Sequence, residues 1–190
     1  MRQMEEMILR EGVVLPGEIL KVGSFLNQNI DTNLLAAMAQ EIARLFEGAG
    51  VTKILTIEAS GIAIAAAAGI SMGVPVLFAK KHKTSNVDGG VYSTVVHSFT
   101  HNEDYHVVVS RDYLTSDDKV LLVDDFLANG KALEGLMDLC KQAGAELVGV
   151  AIAIEKCFTG AGDRFRAQGI KLESLAMIES MSDHEIIFRS

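Results

Sequence analysis

VLLVDDFLANGKALEGL, residues Val120 to Leu136, sets four apolar residues ahead of two adjacent carboxylates and follows them with a glycine turn leading into a helical pattern. A short unbroken apolar run marks a strand buried on both faces. Its exit through Asn129-Gly130-Lys131 into Leu133, Leu136, Met137 and Cys140 at helical spacing makes a strand–turn–helix unit. Gly144 stands where such a helix often needs a left-handed residue to stop. Ile54–Ile57, Val74–Ala79 and Leu147–Ile154 read as three more buried strands. Between them, Leu34, Met38, Ile42, Leu45 and Phe46 form a helical stripe closed by Gly48 and Gly50, and Gly61–Met72 is an Ala-rich helix candidate. Alternating strands and helices predict an α/β fold: one three-layer, Rossmann-like domain around a parallel sheet, with right-handed crossovers.

Residues 82–113 break the alternation. A polar stretch with Asp88-Gly89-Gly90 precedes VYSTVVHSFT, a turn at HNED and YHVVVS, which together predict an antiparallel hairpin behind a loose loop. Such an excursion is usually plain surface, and in a minority of folds it closes over an active site.

Composition excludes several classes. A chain of 190 residues suits one core. Its longest candidate membrane run, Ile62–Ile70, falls well short of the ~20 apolar residues that span a bilayer. The N-terminus MRQMEEMILREG does not resemble a secretory signal, so a soluble, cytoplasmic protein is expected. Cys140 and Cys157 are far apart and suggest buried thiols rather than a disulfide framework or zinc cage. A net charge of −8 argues against nucleic acid or an anionic membrane as the main partner, while leaving room for a local anion site.

In an open parallel sheet, ligands bind beyond the carboxyl ends of the strands, where Asp124 and Asp125 fall. For a lone Asp, capping of the next turn is the plainer reading. For a pair ahead of a glycine turn and a helix, vicinal ribose hydroxyls are natural donors to both carboxylates. The first free N–H groups of the helix then offer a seat for a sugar 5-phosphate. A Walker A loop is excluded by Asp125 and Ala132, which occupy the places that need Gly and Ser or Thr, and no dinucleotide fingerprint is present. The turn Glu58-Ala59-Ser60-Gly61 is either a second anion seat or an ordinary strand-to-helix turn capped by Ser60. Lys80, Lys81 and Lys83 are either solvated charge or pyrophosphate neutralisers. His97, His101 and His106 read as hairpin histidines rather than metal ligands. Tyr92, Phe99 and Tyr105 are expected to pack the hairpin.

Taken in order, IEASGIA, VPVLFAKKHK, VLLVDDFLANGKA and GVAIAIEKCF resemble the type I phosphoribosyltransferase family over nearly the whole chain. The N-terminal EGVVLPGEILKVGSFLNQNID is similar to the family's xanthine-specific branch. The resemblance implies transfer of a 5-phosphoribosyl group from phosphoribosyl pyrophosphate to N9 of xanthine, with release of pyrophosphate, by a homodimer. It implies that Asp124 and Asp125 hold the ribose hydroxyls. It assigns the 5-phosphate to Ala128, Asn129, Gly130, Lys131 and Ala132, and the pyrophosphate to Ala59, Ser60, Gly61 and Lys81. It places Leu20, Asn27 and Lys156 around the base, under a hood built from residues 1–30 and 156–190. Mg2+ is expected to arrive with phosphoribosyl pyrophosphate, held mainly by substrate oxygens. Read without the family, the plainer roles come first: Leu20 as core, Asn27 as a turn residue and Lys156 as a snorkelling charge. Phe126 and Phe158 either stack on the purine or fill the core.

The chain departs from the family pattern in its phosphate loop. Asn129 and Lys131 replace the hydroxyl residues that usually flank the glycine, so backbone N–H groups and Lys131 must carry more of the binding. Ala128 replaces the Asp that hypoxanthine–guanine enzymes place near N7. Xanthine ionises near neutral pH and needs less help from a base, which predicts a steep fall in turnover at acidic pH. The competing readings are an adenine or other purine phosphoribosyltransferase, which a donor at Lys156 disfavours, and a phosphoribosyl-pyrophosphate-sensing transcriptional regulator. The second lacks a basic region ahead of the first strand.

Overall fold

The computed structural model describes residues 1–82, 90–98, 103–182 and 185–189. The expected loop at Asp88-Gly89, the tip residues Phe99 and His101, and Lys83 lie outside the described residues, as does the side chain of His97.

An eight-stranded sheet has the order β10-β9-β8-β7-β3-β4-β6-β5. Five strands pair in parallel: β9 (Leu172–Met181), β8 (Glu146–Lys156), β7 (Lys119–Leu127), β3 (Lys53–Ile57) and β4 (Val76–His82). At one edge β6 (Glu103–Ser110) runs antiparallel to β4 and pairs with β5 (Val91–Ser98), so the expected hairpin extends the main sheet instead of standing apart from it. At the other edge β10 (Ile186–Phe188) is antiparallel to β9. A small separate hairpin joins β1 (Val13–Leu15) to β2 (Ile19–Lys21). Chain order reverses between β3 and β7: from β3 the chain moves toward β4, and from β7 toward β8 and β9. The crevice at such a reversal is where open α/β sheets bind ligands.

Two hydrophobic clusters cover the sheet's faces. Helices α1 (Arg2–Glu11), α2 (Thr32–Leu45) and α3 (Gly61–Met72) pack one, through Met4, Ile8, Met38, Ile42, Ile64 and Ala68. Helices α4 (Lys131–Ala143) and α5 (Ala161–Ala167) pack the other, through Leu133, Leu136, Leu139 and Phe165. Fully burying a side chain such as Leu121 or Ile152 stabilises by roughly 1.5–3 kcal/mol. Asp31 caps α2, its Oδ1 accepting from the N–H groups of Asn33 at 3.0 Å and Leu34 at 2.9 Å. Gly144 ends α4 at a φ of 73°, as its position predicted.

Several boundaries differ from expectation. Central strand β7 continues through both acids to Leu127, because its ladder with β8 persists at Asp124, Phe126 and Leu127. Strand β4 is not buried on both faces: Phe78 is 39% exposed there, since β4 lies toward the sheet's edge. In α4 it is Leu139, not Met137, that is fully buried. After β8 the chain adds β9 and β10, which lengthen the sheet. Helix α1 packs against β9, tied by the Met1 ammonium donating to the Leu175 carbonyl. Among the described residues no helix is long and apolar enough to cross a membrane.

Candidate active site

At the reversal between β3 and β7 a cleft of about 290 Å³ gathers the β3–α3 turn, the end of β7, the turn into α4 and one face of the β5–β6 hairpin. Ala59, Ser60, Lys81, Asp124, Asp125 and Ala128 to Ala132 all line it. Gly61 lies just beneath. A Cβ built there would stand 2.1 Å from Thr56 Oγ1 and 3.1 Å from Asp124 Oδ1, so the start of α3 can approach Asp124 only without a side chain.

Asp124 and Asp125 occupy unlike surroundings. Asp124 is 8% exposed, and its Oδ1 accepts from the Asp125 N–H at 2.9 Å. Burial foremost, and then the Asp125 charge, push its carboxyl well above the usual range, while Lys81 pulls the other way. Asp125 is half-buried. Its Oδ1 accepts from the Phe126 N–H at 3.0 Å, and its Oδ2 lies 3.5 Å from the Asn27 amide nitrogen. The site thus sets one buried acid, which burial drives toward neutrality, beside one that is half exposed.

The turn into α4 is opened by Gly130 at a φ of 86°, a left-handed conformation that favours glycine, and the Asn129 side chain accepts from the Lys131 N–H at 3.0 Å. The N-cap residue itself, Gly130, has no side chain to cap the helix, so beyond the Lys131 N–H that Asn129 takes, the next N–H groups of the first turn face a prospective ligand without a recorded cap. The Lys131 ammonium, at the cleft wall, donates to Glu134 at 2.9 Å. The opposite turn, Glu58 to Gly61, contains a cis Glu58–Ala59 peptide, and Ser60 makes no side-chain cap to α3. There the Lys81 N–H donates to Glu58 Oε1 at 2.6 Å. Lys80 is exposed and does not line the cleft.

The three base-site candidates stand outside that lining. Asn27 ends a π-helical turn, Gly23–Asn27, and touches the cleft through Asp125. Lys156 donates to the Glu18 carbonyl at 2.7 Å and sits 5.8 Å over the ring of Phe126, which does line the cleft. Burial lowers the Lys156 pKa, with the Glu18 charge opposing. Leu20 is buried in the core beside Gly12. Phe158 also packs against the core.

Sequence reasoning missed several neighbours. Val96, Tyr105 and Val107 bring the hairpin into the cleft wall, and their period-two alternation is the one signal that pointed inward. Arg164, from α5, donates to Glu134 at 2.8 Å and lies 3.5 Å from the Asn129 carbonyl. Thr159 Oγ1 lies 2.6 Å from the Ala128 carbonyl and 2.8 Å from that of Lys156, a bridge between the α4 turn and the end of β8. Neither has a local signature. Behind the end of β8, fully buried Glu155 takes a two-pronged contact from Arg166, at 2.8 and 2.6 Å, and a further hydrogen bond from Ser174. Among the described residues no cluster of three or more His, Cys, Asp or Glu is placed to hold a metal ion.

Comparison with known proteins places this geometry in context. Residues 23–173 match the phosphoribosyl transferase domain. The chain is 51% identical to a xanthine phosphoribosyltransferase of Finegoldia magna over 188 residues, covering 99% of each chain. It is 52% identical to one of Bifidobacterium longum over 192 residues, covering 100% of each. Among solved structures it resembles the APRTase of Giardia lamblia complexed with 9-deazaadenine, with a TM-score of 0.75, 20% identity and coverage of 90% and 96% of the two chains. That likeness extends to the fold alone.

Proposed function

The chain belongs to the phosphoribosyltransferase family, and we propose that it transfers the 5-phosphoribosyl group of phosphoribosyl pyrophosphate to N9 of xanthine, giving xanthosine 5'-monophosphate and pyrophosphate in purine salvage. The observation that carries this reading is the convergence of the acid pair, the uncapped start of α4 and the Ala59–Gly61 turn around one cleft.

In the proposed complex Asp124 and Asp125 accept from the ribose hydroxyls, and the N–H groups from Ala128 to Ala132 hold the 5-phosphate at the positive end of the α4 dipole. Ala59, Ser60, Gly61 and Lys81 face the pyrophosphate. Breaking the bond from C1 to pyrophosphate builds positive charge on the sugar and negative charge on the leaving group. Carboxylates fixed on one side and N–H groups with a lysine on the other therefore favour the transition state over the ground state. The chain contributes placement and electrostatics. Two neighbouring carboxylates with open oxygens suit an Mg2+ that keeps most of its ligands as substrate oxygens and water. When bound, that ion would neutralise part of the pyrophosphate charge.

For the base, Lys156 donates to an oxo group of xanthine and would meet an adenine amino group donor to donor, at a cost of roughly 1–3 kcal/mol. Asn27 presents both a donor and an acceptor to the base edge. Leu20, with residues 1–30 around it and residues 156–190 opposite, forms the apolar hood. Ile70 on α3, 84% exposed, and Phe78 on β4 are apolar surfaces that a second copy would cover in a homodimer.

The test is to incubate the purified chain with phosphoribosyl pyrophosphate and, separately, xanthine, hypoxanthine, guanine and adenine, and to quantify nucleotide product. Xanthine should give the highest kcat/KM and adenine the lowest. Preference for adenine would overturn the base assignment, and no product with any base would overturn the reaction.

A further inference from the structure

Thr56 Oγ1 is fully buried and has no hydrogen-bond partner among the described residues. Leaving a buried hydroxyl unpaired costs about 1–3 kcal/mol, so its retention where Val would fill the same shape asks for a reason. Thr56 sits on β3, one residue before Ile57 enters the cleft wall, and the Gly61 Cα that overlies it leaves no side chain between the hydroxyl and Asp124. One point, the Cβ position of Gly61, is 2.1 Å from Thr56 Oγ1 and 3.1 Å from Asp124 Oδ1. Both oxygens therefore border the same small space. Oδ1 holds a single recorded donor, the Asp125 N–H, while a carboxylate oxygen accommodates two.

We propose that Thr56 is a positioning residue for Asp124: its hydroxyl donates to the Asp124 carboxylate when that acid turns to receive the sugar hydroxyls of phosphoribosyl pyrophosphate. The inference rests on the reaction proposed above and adds to it the group that lets a buried acid serve as an ionised one. The charged groups around Asp124 are Asp125 on its own strand and Lys81 on β4, with Glu58 in the β3–α3 turn also on the cleft wall. Asp125 opposes ionisation, and Lys81 is the favourable charge recorded for it. A neutral donor at Thr56 supplies the remaining support without adding charge. The arrangement also accounts for Gly61, since any larger residue would occupy the space in which the two groups meet.

The experiment compares wild type, Thr56→Val and Thr56→Ser, measuring phosphoribosyl pyrophosphate binding by calorimetry without purine, xanthine turnover, and thermal melting. A residue that merely packs the core predicts that Val is harmless and Ser, which deletes a methyl group, is the damaging change. The proposal predicts the reverse order for the ligand: Thr56→Val binds phosphoribosyl pyrophosphate about tenfold more weakly, Thr56→Ser binds within about twofold of wild type. Melting should run the other way, with Val at or above wild type and Ser below it. Equal binding by wild type and Thr56→Val, or equal losses in both variants, would overturn the proposal while leaving the reaction intact. A wild type that neither binds the ligand nor turns over would overturn the reaction, and this inference with it.

Discussion

The amide nitrogen of Asn27 lies 3.5 Å from Oδ2 of Asp125, joining residues 98 apart in sequence across the rim of the cleft. A group proposed to read the base thus leans on a group proposed to hold the sugar. Asn27→Asp would set a third carboxylate against the pair. Like charges 4 Å apart repel by roughly 4 kcal/mol at an effective dielectric of 20. Binding of phosphoribosyl pyrophosphate should weaken at least about tenfold, whereas Asn27→Ala should chiefly raise the KM for xanthine; equal effects of both variants on both substrates would overturn this division of roles.

Asp124 should trade stability for activity. Its folded-state pKa is raised, so the folded chain holds the proton more tightly than the unfolded chain does. Below the unfolded value both states are protonated and nothing is lost; as pH climbs from the unfolded value to the raised folded one stability falls, and above that it levels off. Asp124→Asn removes that cost. It should melt about 2–4 °C above wild type at neutral pH, and the gap should close at acidic pH. Turnover should drop at least about a hundredfold in the same variant. Thermal melts across pH together with a xanthine assay check both.

Lys156 donates to the Glu18 carbonyl, so its ammonium is directed by the turn between β1 and β2. Lys156→Ala should lower kcat/KM for xanthine and guanine by roughly tenfold to a hundredfold and leave the weak adenine reaction nearly unchanged. A uniform loss across bases would instead give Lys156 a structural role.

Arg166 and Glu155 form an ion pair in which the carboxylate is 0% exposed. Arg166→Met leaves that charge uncompensated behind the end of β8, at a cost of about 3–5 kcal/mol. Unfolding in urea should show a midpoint shifted down with the slope unchanged. Arg166→Met combined with Glu155→Leu should recover much of the loss.

Legibility followed the range over which each signal acts. The β7–α4 unit was readable because its strand, acids, turn and stripe are contiguous, and Gly130 and Gly144 take the left-handed backbone their positions predict. Strand β9 was missed because LESLAMIESM interleaves Glu173 and Glu179 with apolar residues, one edge of the sheet being only partly covered. Segments β1 and β2 are three residues each, too short for a period to register. Within the cleft, Asp124, Asp125 and the Gly130 turn could be singled out from sequence, and Tyr105 only through its period-two alternation. Arg164 and Thr159, which touch the turn from behind, could not, because each comes from an element remote in the chain whose approach is set by packing. The expected role of Lys131 illustrates the same limit: its Glu134 partner is one turn away, and nothing in the local pattern says whether the ammonium faces ligand or helix.

The reversal of strand order leaves the molecule with a division of labour. Sugar and phosphate groups would meet residues rooted in the central parallel strands, whereas Leu20 and Asn27 belong to segments outside the eight-stranded sheet altogether. Preference among oxopurines can then shift through changes in the first thirty residues while the phosphoribosyl-donor half, and Lys156 at the end of β8, stay fixed. Chimeras carrying residues 1–30 of a relative that prefers another oxopurine should keep the scaffold and the discrimination against adenine and move the preference among xanthine, guanine and hypoxanthine.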